Sequence, residues 1–174
     1  MVDAPFDAER IATLLEASAQ ALMVEVEALG AAARWRPATG EWSANEALGH
    51  LLEAERRGFN GRIRLILTAD RPVFQTWDQE GTAAARHDEL RDTDELLAEF
   101  LAIRADSLDL VRTLRSSDLL RTGLHPVVGE LSAGDIAAEW VHHDRNHLKQ
   151  ILSVSQARVW EQMGVARRFV DPTA

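Results

Sequence analysis

Cysteine is absent from all 174 residues, so the chain forms no disulfide and supplies no thiolate of its own. No apolar run approaches the ~20 residues that a membrane-spanning helix needs. The opening stretch, MVDAPFDAER, is acidic and lacks the apolar core of a secretory signal, which leads to the expectation of a cytoplasmic protein. A positive balance is missing too. Lys+Arg 19 against Asp+Glu 28 leaves −9, which argues against a duplex nucleic-acid partner. There is no internal repeat, low-complexity tract, Walker A motif, G-x-G-x-x-G or G-x-S-x-G, and no run alternates as a strand. The length fits one domain, expected over 1–174, that can bury a core.

What is present is helical period. Asp7 can cap a first helix to about Leu29, with Ile11, Leu15, Leu22, Val26 and Leu29 on one stripe and Gly30 closing it. Ser43-Ala44-Asn45-Glu46 is a capping box behind Trp42 and opens a second helix, expected over 43–68. Asp70 to His87 has no helical period and reads as a loop with two aromatics, Phe74 and Trp77, of the kind that forms a lid or an interface strip. A third helix is expected over 93–115, with Leu96, Phe100, Ile103, Leu110 and Leu114 inward. Ser116 to Asp118 begins a short turn or helix, and Leu124 to Leu131 reads as an irregular connection. The pairs Arg56-Arg57 and Arg167-Arg168 read as solvated faces.

The last helix, expected over 132–163 from the Ser132/Asp135 capping signature to Gly164, carries the chemistry. At ~100° per residue Ile136, Trp140, His147 and Ile151 share a stripe with His143 beside it, while Glu139, His142, Asn146 and Lys149 fall opposite. His143 and His147 have the i,i+4 spacing by which a helix offers two imidazoles to one metal, a spacing that also occurs in purely structural pairs. Asp144 points into the apolar arc, where a carboxylate is costly unless hydrogen bonds or charge hold it. The wheel therefore predicts a buried tie under the histidines. On the second helix His50 stands at the edge of the apolar arc, between Glu46 and Glu53. If the second and last helices are neighbours, three imidazoles can converge at one place.

The run Trp42-Ser43-Ala44-Asn45-Glu46-Ala47-Leu48-Gly49-His50-Leu51 resembles the W-S-x-x-E-x-L-x-H-L opening of the second helix of DinB/YfiT-like proteins. His143-Asp144-Arg145-Asn146-His147-Leu148-Lys149-Gln150 resembles that superfamily's final H-D-x-x-H-L-x-Q helix. The resemblance spans nearly the whole chain and implies an all-α four-helix bundle with long connecting loops. It implies a divalent metal, Zn²⁺, Ni²⁺ or similar, held by His50, His143 and His147. It also implies homodimers and a small-molecule substrate. Members with known activity include S-transferases that use a low-molecular-weight thiol, mycothiol or bacillithiol, and an isomerase of maleylpyruvate.

Three imidazoles leave a divalent ion with open positions, as in catalytic sites, where water or a thiolate can enter. Glu46, Glu53 and His142 are the candidate acid/base or supporting groups, each also readable as a solvated helix residue. Three classes stay open: a metal-dependent transferase or hydrolase, a metal- or ligand-binding module without turnover, and an interaction protein with residual histidines. No membrane or nucleic-acid partner is expected.

Overall fold

Asp7 accepts the backbone N–H of Arg10 at 2.8 Å and starts α1 (Ala8–Leu29), which buries Ile11, Leu15, Leu22 and Val26. Gly30 ends it at φ 51°. The computed structural model describes residues 7–171 and 173, so the first six residues of the acidic opening lie outside the described residues. Ser43 and Glu46 close the expected capping box, with the Ser43 N–H donating to Glu46 Oε2 at 2.9 Å. From there the backbone is helical to Thr68, but it is not one α-helix. The helix α2 (Ala44–Glu53) passes through a π-turn at Ala54–Phe59 into α3 (Asn60–Thr68). Leu48, Glu55 and Arg62 share heptad spacing, so an unbroken helix would send all three into the core. The extra residue turns α3 by about 100°, which brings Ile63 into the core and leaves Arg62 at the rim.

The segment expected as a loop from Asp70 to His87 contains α4 (Gln79–Arg86), capped by Asp78, which accepts from the Gly81 N–H at 2.9 Å. None of its residues is buried, so it carries no apolar stripe that a periodicity reading could detect. The cap and three alanines make it helical. Asp92 caps α5 (Thr93–Thr113), and α6 (Ser116–Leu119) follows. The connection expected to be irregular is a hairpin of β1 (Thr122–His125) and β2 (Gly129–Ser132), antiparallel, with Thr122 opposite Ser132 and Gly129 at φ 88° in the turn. Four residues per strand are too few to register as alternation. The preceding loop supports the hairpin: Phe74 N donates to Leu124 O at 2.9 Å and Leu124 N to Pro72 O at 2.8 Å. Gly123 has no side chain because the Phe74 ring lies where a Cβ would stand. Phe74 is thereby core, not the exposed strip that its sequence context suggests. Finally α7 (Ala133–Trp160) opens on the Ser132/Asp135 capping box and ends short of the expected Met163, with a 3-10 turn from Gly164 to Phe169.

Helices α5 and α7 each pack against both α1 and α2, so the consecutive helices α1 and α2 stand diagonally across the bundle. The core has two apolar clusters. One gathers Ile11, Leu15, Phe59, Ile63, Phe74 and Trp140; the other Leu22, Leu48, Leu52, Leu96, Phe100 and Ile151. Burying such side chains contributes roughly 1.5–3 kcal/mol each. Between Leu52 and Phe59, between Phe100 and Leu108, and between Trp140 and Ile151 stand Glu55, Arg104 and Asp144, all buried and all mutually engaged. A charged layer therefore separates the two clusters.

Candidate metal centre

The capping box of α2 fixes the phase of that helix, and His50 emerges in its last turn, buried, before the π-turn begins. The box of α7 fixes His143 and His147, one turn apart and half-buried. Since α2 packs on α7, the three rings meet. A ring nitrogen from each lies within 4.8 Å of the others, and His50 Nε2 faces His143 Nε2 at 3.1 Å. Ring centroids are 4.7 Å apart for His50–His147 and 4.5 Å for His143–His147.

Aromatic side chains enclose the cluster. Trp42, the residue before the α2 cap, stands 5.2 Å from His50 and stacks on His147 at 6.2 Å. Trp77 stacks on His50 at 6.2 Å, and Phe59 meets His143 edge-on at 5.1 Å. His147 also borders a shallow cleft of about 460 Å³ with Trp42 and Gln150.

Burial sets the protonation of all three. It lowers His50 to about 4 and His143 to about 3, with His147 pushing further in the same direction. His147 is also lowered by burial, against a hydrogen bond to Gln150 that raises it. Neutral imidazoles with available lone pairs are what a divalent ion requires. His147 Nδ1 pairs with Gln150 Oε1 at 2.9 Å; an amide oxygen only accepts, so Nδ1 carries the proton and Nε2 is left bare. Between His50 Nε2 and His143 Nε2 one proton at most can sit, whereas a cation would satisfy both lone pairs. The donor set fits a divalent metal.

Beneath the histidines, Asp144 is fully buried and tied to a neighbouring helix, as its place on the wheel predicts. Arg104 Nη1 donates to Asp144 Oδ2 at 2.7 Å and to Leu15 O at 2.9 Å, while Arg104 Nη2 reaches Glu55 Oε2 at 2.8 Å. Burial pushes both carboxyls up; Arg104 opposes this, and two carboxylates hold the guanidinium firmly charged. Glu55 and Arg104 escaped the sequence reading, which places Trp77 in a lid or interface strip without tying it to the histidines. Arg104 had a signal: it follows Phe100 by four residues and precedes Leu108 by four, on the inward face of α5.

The acid/base candidates fare differently. Glu46 is committed to its cap and to Arg36. Glu53, read as solvated, is buried and pairs with Arg57 at 2.8 Å and Arg86 at 2.8 Å. His142 is exposed and pairs with Asn146 at 3.3 Å.

Four helices with this pairing and three imidazoles at one level agree with the family match: residues 14–151 fit the model of the DinB superfamily, and the chain belongs to that superfamily. Among its relatives, a protein of Oceanobacillus iheyensis named as a candidate metal-dependent hydrolase is 25% identical over 122 residues, covering 70% of each chain. One of Bacillus licheniformis with the same designation is 24% identical over 123 residues, covering 70% of this chain and 69% of that one. The solved structure of YfiT from Bacillus subtilis, described as a probable metal-dependent hydrolase with an unusual four-helix bundle topology, superposes with a TM-score of 0.79 over 88% of each chain at 20% identity. That likeness establishes the fold. No helix among the described residues is long and apolar enough to cross a membrane.

Proposed function

We propose that the protein is a metal-dependent enzyme acting on a small molecule, with His50, His143 and His147 as the ligands of one divalent ion, Zn²⁺, Ni²⁺ or similar. The observation that carries this reading is the convergence of three imidazoles whose basicity burial has suppressed. A divalent ion at this place supplies a Lewis acid with open positions for water or a thiolate. The chain's own residues do the rest. Gln150 fixes the tautomer of His147, Trp42, Trp77 and Phe59 keep bulk water from the rings, and the Arg104–Asp144 tie anchors the backbone between the two α7 histidines.

The names of the relatives favour hydrolysis. The lack of any cysteine accommodates an external low-molecular-weight thiol, which keeps S-transfer in the same proposal. A binding module without turnover has one observation on its side: Glu46 and Glu53, the carboxylates nearest His50 in sequence, are both ion-paired. The reading includes a single domain over 1–174, a cytoplasmic setting and a homodimer. Support for the dimer comes from exposed apolar side chains on α7 and the turn after it, Leu152, Val159, Val165, Phe169 and Val170, rather than from Phe74. Light scattering at micromolar concentration tests the dimer, and a monomer there removes it.

The activity test uses untagged protein loaded with Zn²⁺, Ni²⁺, Mn²⁺ or Fe²⁺. Each form is offered ester and amide substrates, and electrophiles with a panel of small thiols. Turnover above a His143→Ala control supports the enzyme; metal uptake without turnover turns the assignment to a binding module.

A further inference from the structure

Across Trp77 from the histidines lies a cleft of about 510 Å³ whose lining includes Arg56, Arg57 and Arg62 and no carboxylate. In a chain of net charge −9 that lining runs against the composition. The volume falls within the roughly 300–1,000 Å³ of small-molecule sites, and Leu65 and Phe74 give it apolar walls. Trp77 belongs to both places. Its ring stacks on His50 at 6.2 Å and carries the Arg57 guanidinium 5.5 Å from its centroid.

The cations of the cleft are under-compensated. Arg57 at 2.8 Å and Arg56 at 3.4 Å share the single carboxylate of Glu53, which also takes Arg86 at 2.8 Å. Arg62 has no ion pair among the described residues; its guanidinium lies 5.5 Å over the Phe74 ring. Its Nε is buried with no hydrogen-bond partner. The titratable neighbours in its field are Glu139 and His125, neither within ion-pair distance. The charge of Arg62, a lining residue of the cleft that no carboxylate within ion-pair distance offsets, is one that an incoming anion can balance. A guanidinium fork is shaped for carboxylate or phosphate oxygens.

We propose that this cleft is an anion subsite, where Arg62, with Arg57 and Arg56, holds the carboxylate or phosphate of a small substrate whose apolar body lies along Phe74 and Trp77 towards the histidines. Its part in turnover rests on the metal-dependent reading above; anion binding itself does not. The π-turn is what makes the subsite: without it Arg62 would follow Leu48 and Glu55 into the core.

Calorimetric titration of the metal-free full chain with phenyl phosphate, benzoate and benzyl alcohol tests the proposal. At least one anion should saturate a single site, with benzyl alcohol silent, and the tighter anion tells phosphate from carboxylate. Arg62→Gln should weaken binding at least tenfold, Arg62→Lys less, with circular dichroism checking the fold of each. Should Arg62→Gln fail to fold, Arg57→Gln and the salt dependence of wild-type binding serve in its place. No saturation by either anion, or an affinity untouched in the folded Arg62 or Arg57 variant, overturns the subsite. Zinc uptake by the same preparations after incubation with Zn²⁺ separates the two readings. Zinc uptake without anion binding removes the subsite alone, and Arg62-dependent anion binding in a protein that takes up no zinc removes the metal reading alone.

Discussion

Arg104 reaches from α5 across the core to Asp144 on α7, Nη1 to Oδ2 at 2.7 Å, and Asp144 is the residue directly after His143. The same guanidinium holds Glu55, five residues after His50. One buried cation thus ties the two segments that carry the three histidines. A buried pair of this kind adds little net stability over apolar packing, but it fixes register: both carboxylates must face Arg104, which sets the phase of α7 and of the π-turn.

Breaking the tie should be severe. Asp144→Ala leaves Arg104 with one carboxylate in a dry core and is expected to cost about 3–5 kcal/mol. The triple change Glu55→Leu, Arg104→Met, Asp144→Leu should cost much less than the three single changes added together. Urea denaturation measures both; an additive triple variant would contradict a coupled triad.

Metal uptake should depend on the converging rings and not on their exposed neighbour. His50→Ala, His143→Ala and His147→Ala are each expected to lower zinc content well below that of wild type, and His142→Ala to leave it unchanged. Zinc at one hundred times its dissociation constant should raise wild-type stability by about 2.7 kcal/mol. Elemental analysis and thermal melts check this, and full zinc occupancy in His143→Ala would end the three-histidine assignment.

In the metal-free protein acid should destabilise the fold earlier than carboxylate titration does. His50 and His143 are depressed in the folded state, to about 4 and about 3, so the unfolded chain binds protons first as pH falls below about 6.5. Stability is therefore full above that value and is lost as pH falls through about 4, with the His143 share lost down to about 3. Removing that group in His143→Phe should flatten the slope between pH 6.5 and 4. A slope identical to wild type in that window argues that His143 is solvated in the folded state.

Gly49 offers a test in which helix propensity and packing disagree. Propensity alone makes Gly49→Ala a gain of about 1 kcal/mol in mid-helix. A Cβ there would run into the Asp88 carboxylate, which is buried against α2 and bonded to Arg86 Nε at 2.6 Å. The expected outcome is a net loss of roughly 1–3 kcal/mol by chemical denaturation, and a stabilised variant would mean that Asp88 moves freely.

The long helices and the candidate ligands are legible from local residues. Ser43/Glu46 and Ser132/Asp135 mark their starts within four residues, and wheel position alone places His50, His143, His147 and Asp144 at or inside apolar arcs. Features that depend on partners far along the chain emerge only once the helices pack. The hairpin Thr122–Ser132 takes its support from Phe74 and Pro72, about fifty residues away. Glu53 and Glu55 look like any helix acids until Arg57 and Arg86, or Arg104, arrive to hold them. The π-turn at Ala54–Phe59 was also invisible to a fixed period, since it replaces the period: it turns Ile63 inward and sends Arg62 to the rim. A helix's face can be read from its own residues, but whether a charge can stay on that face depends on what the rest of the fold brings to meet it.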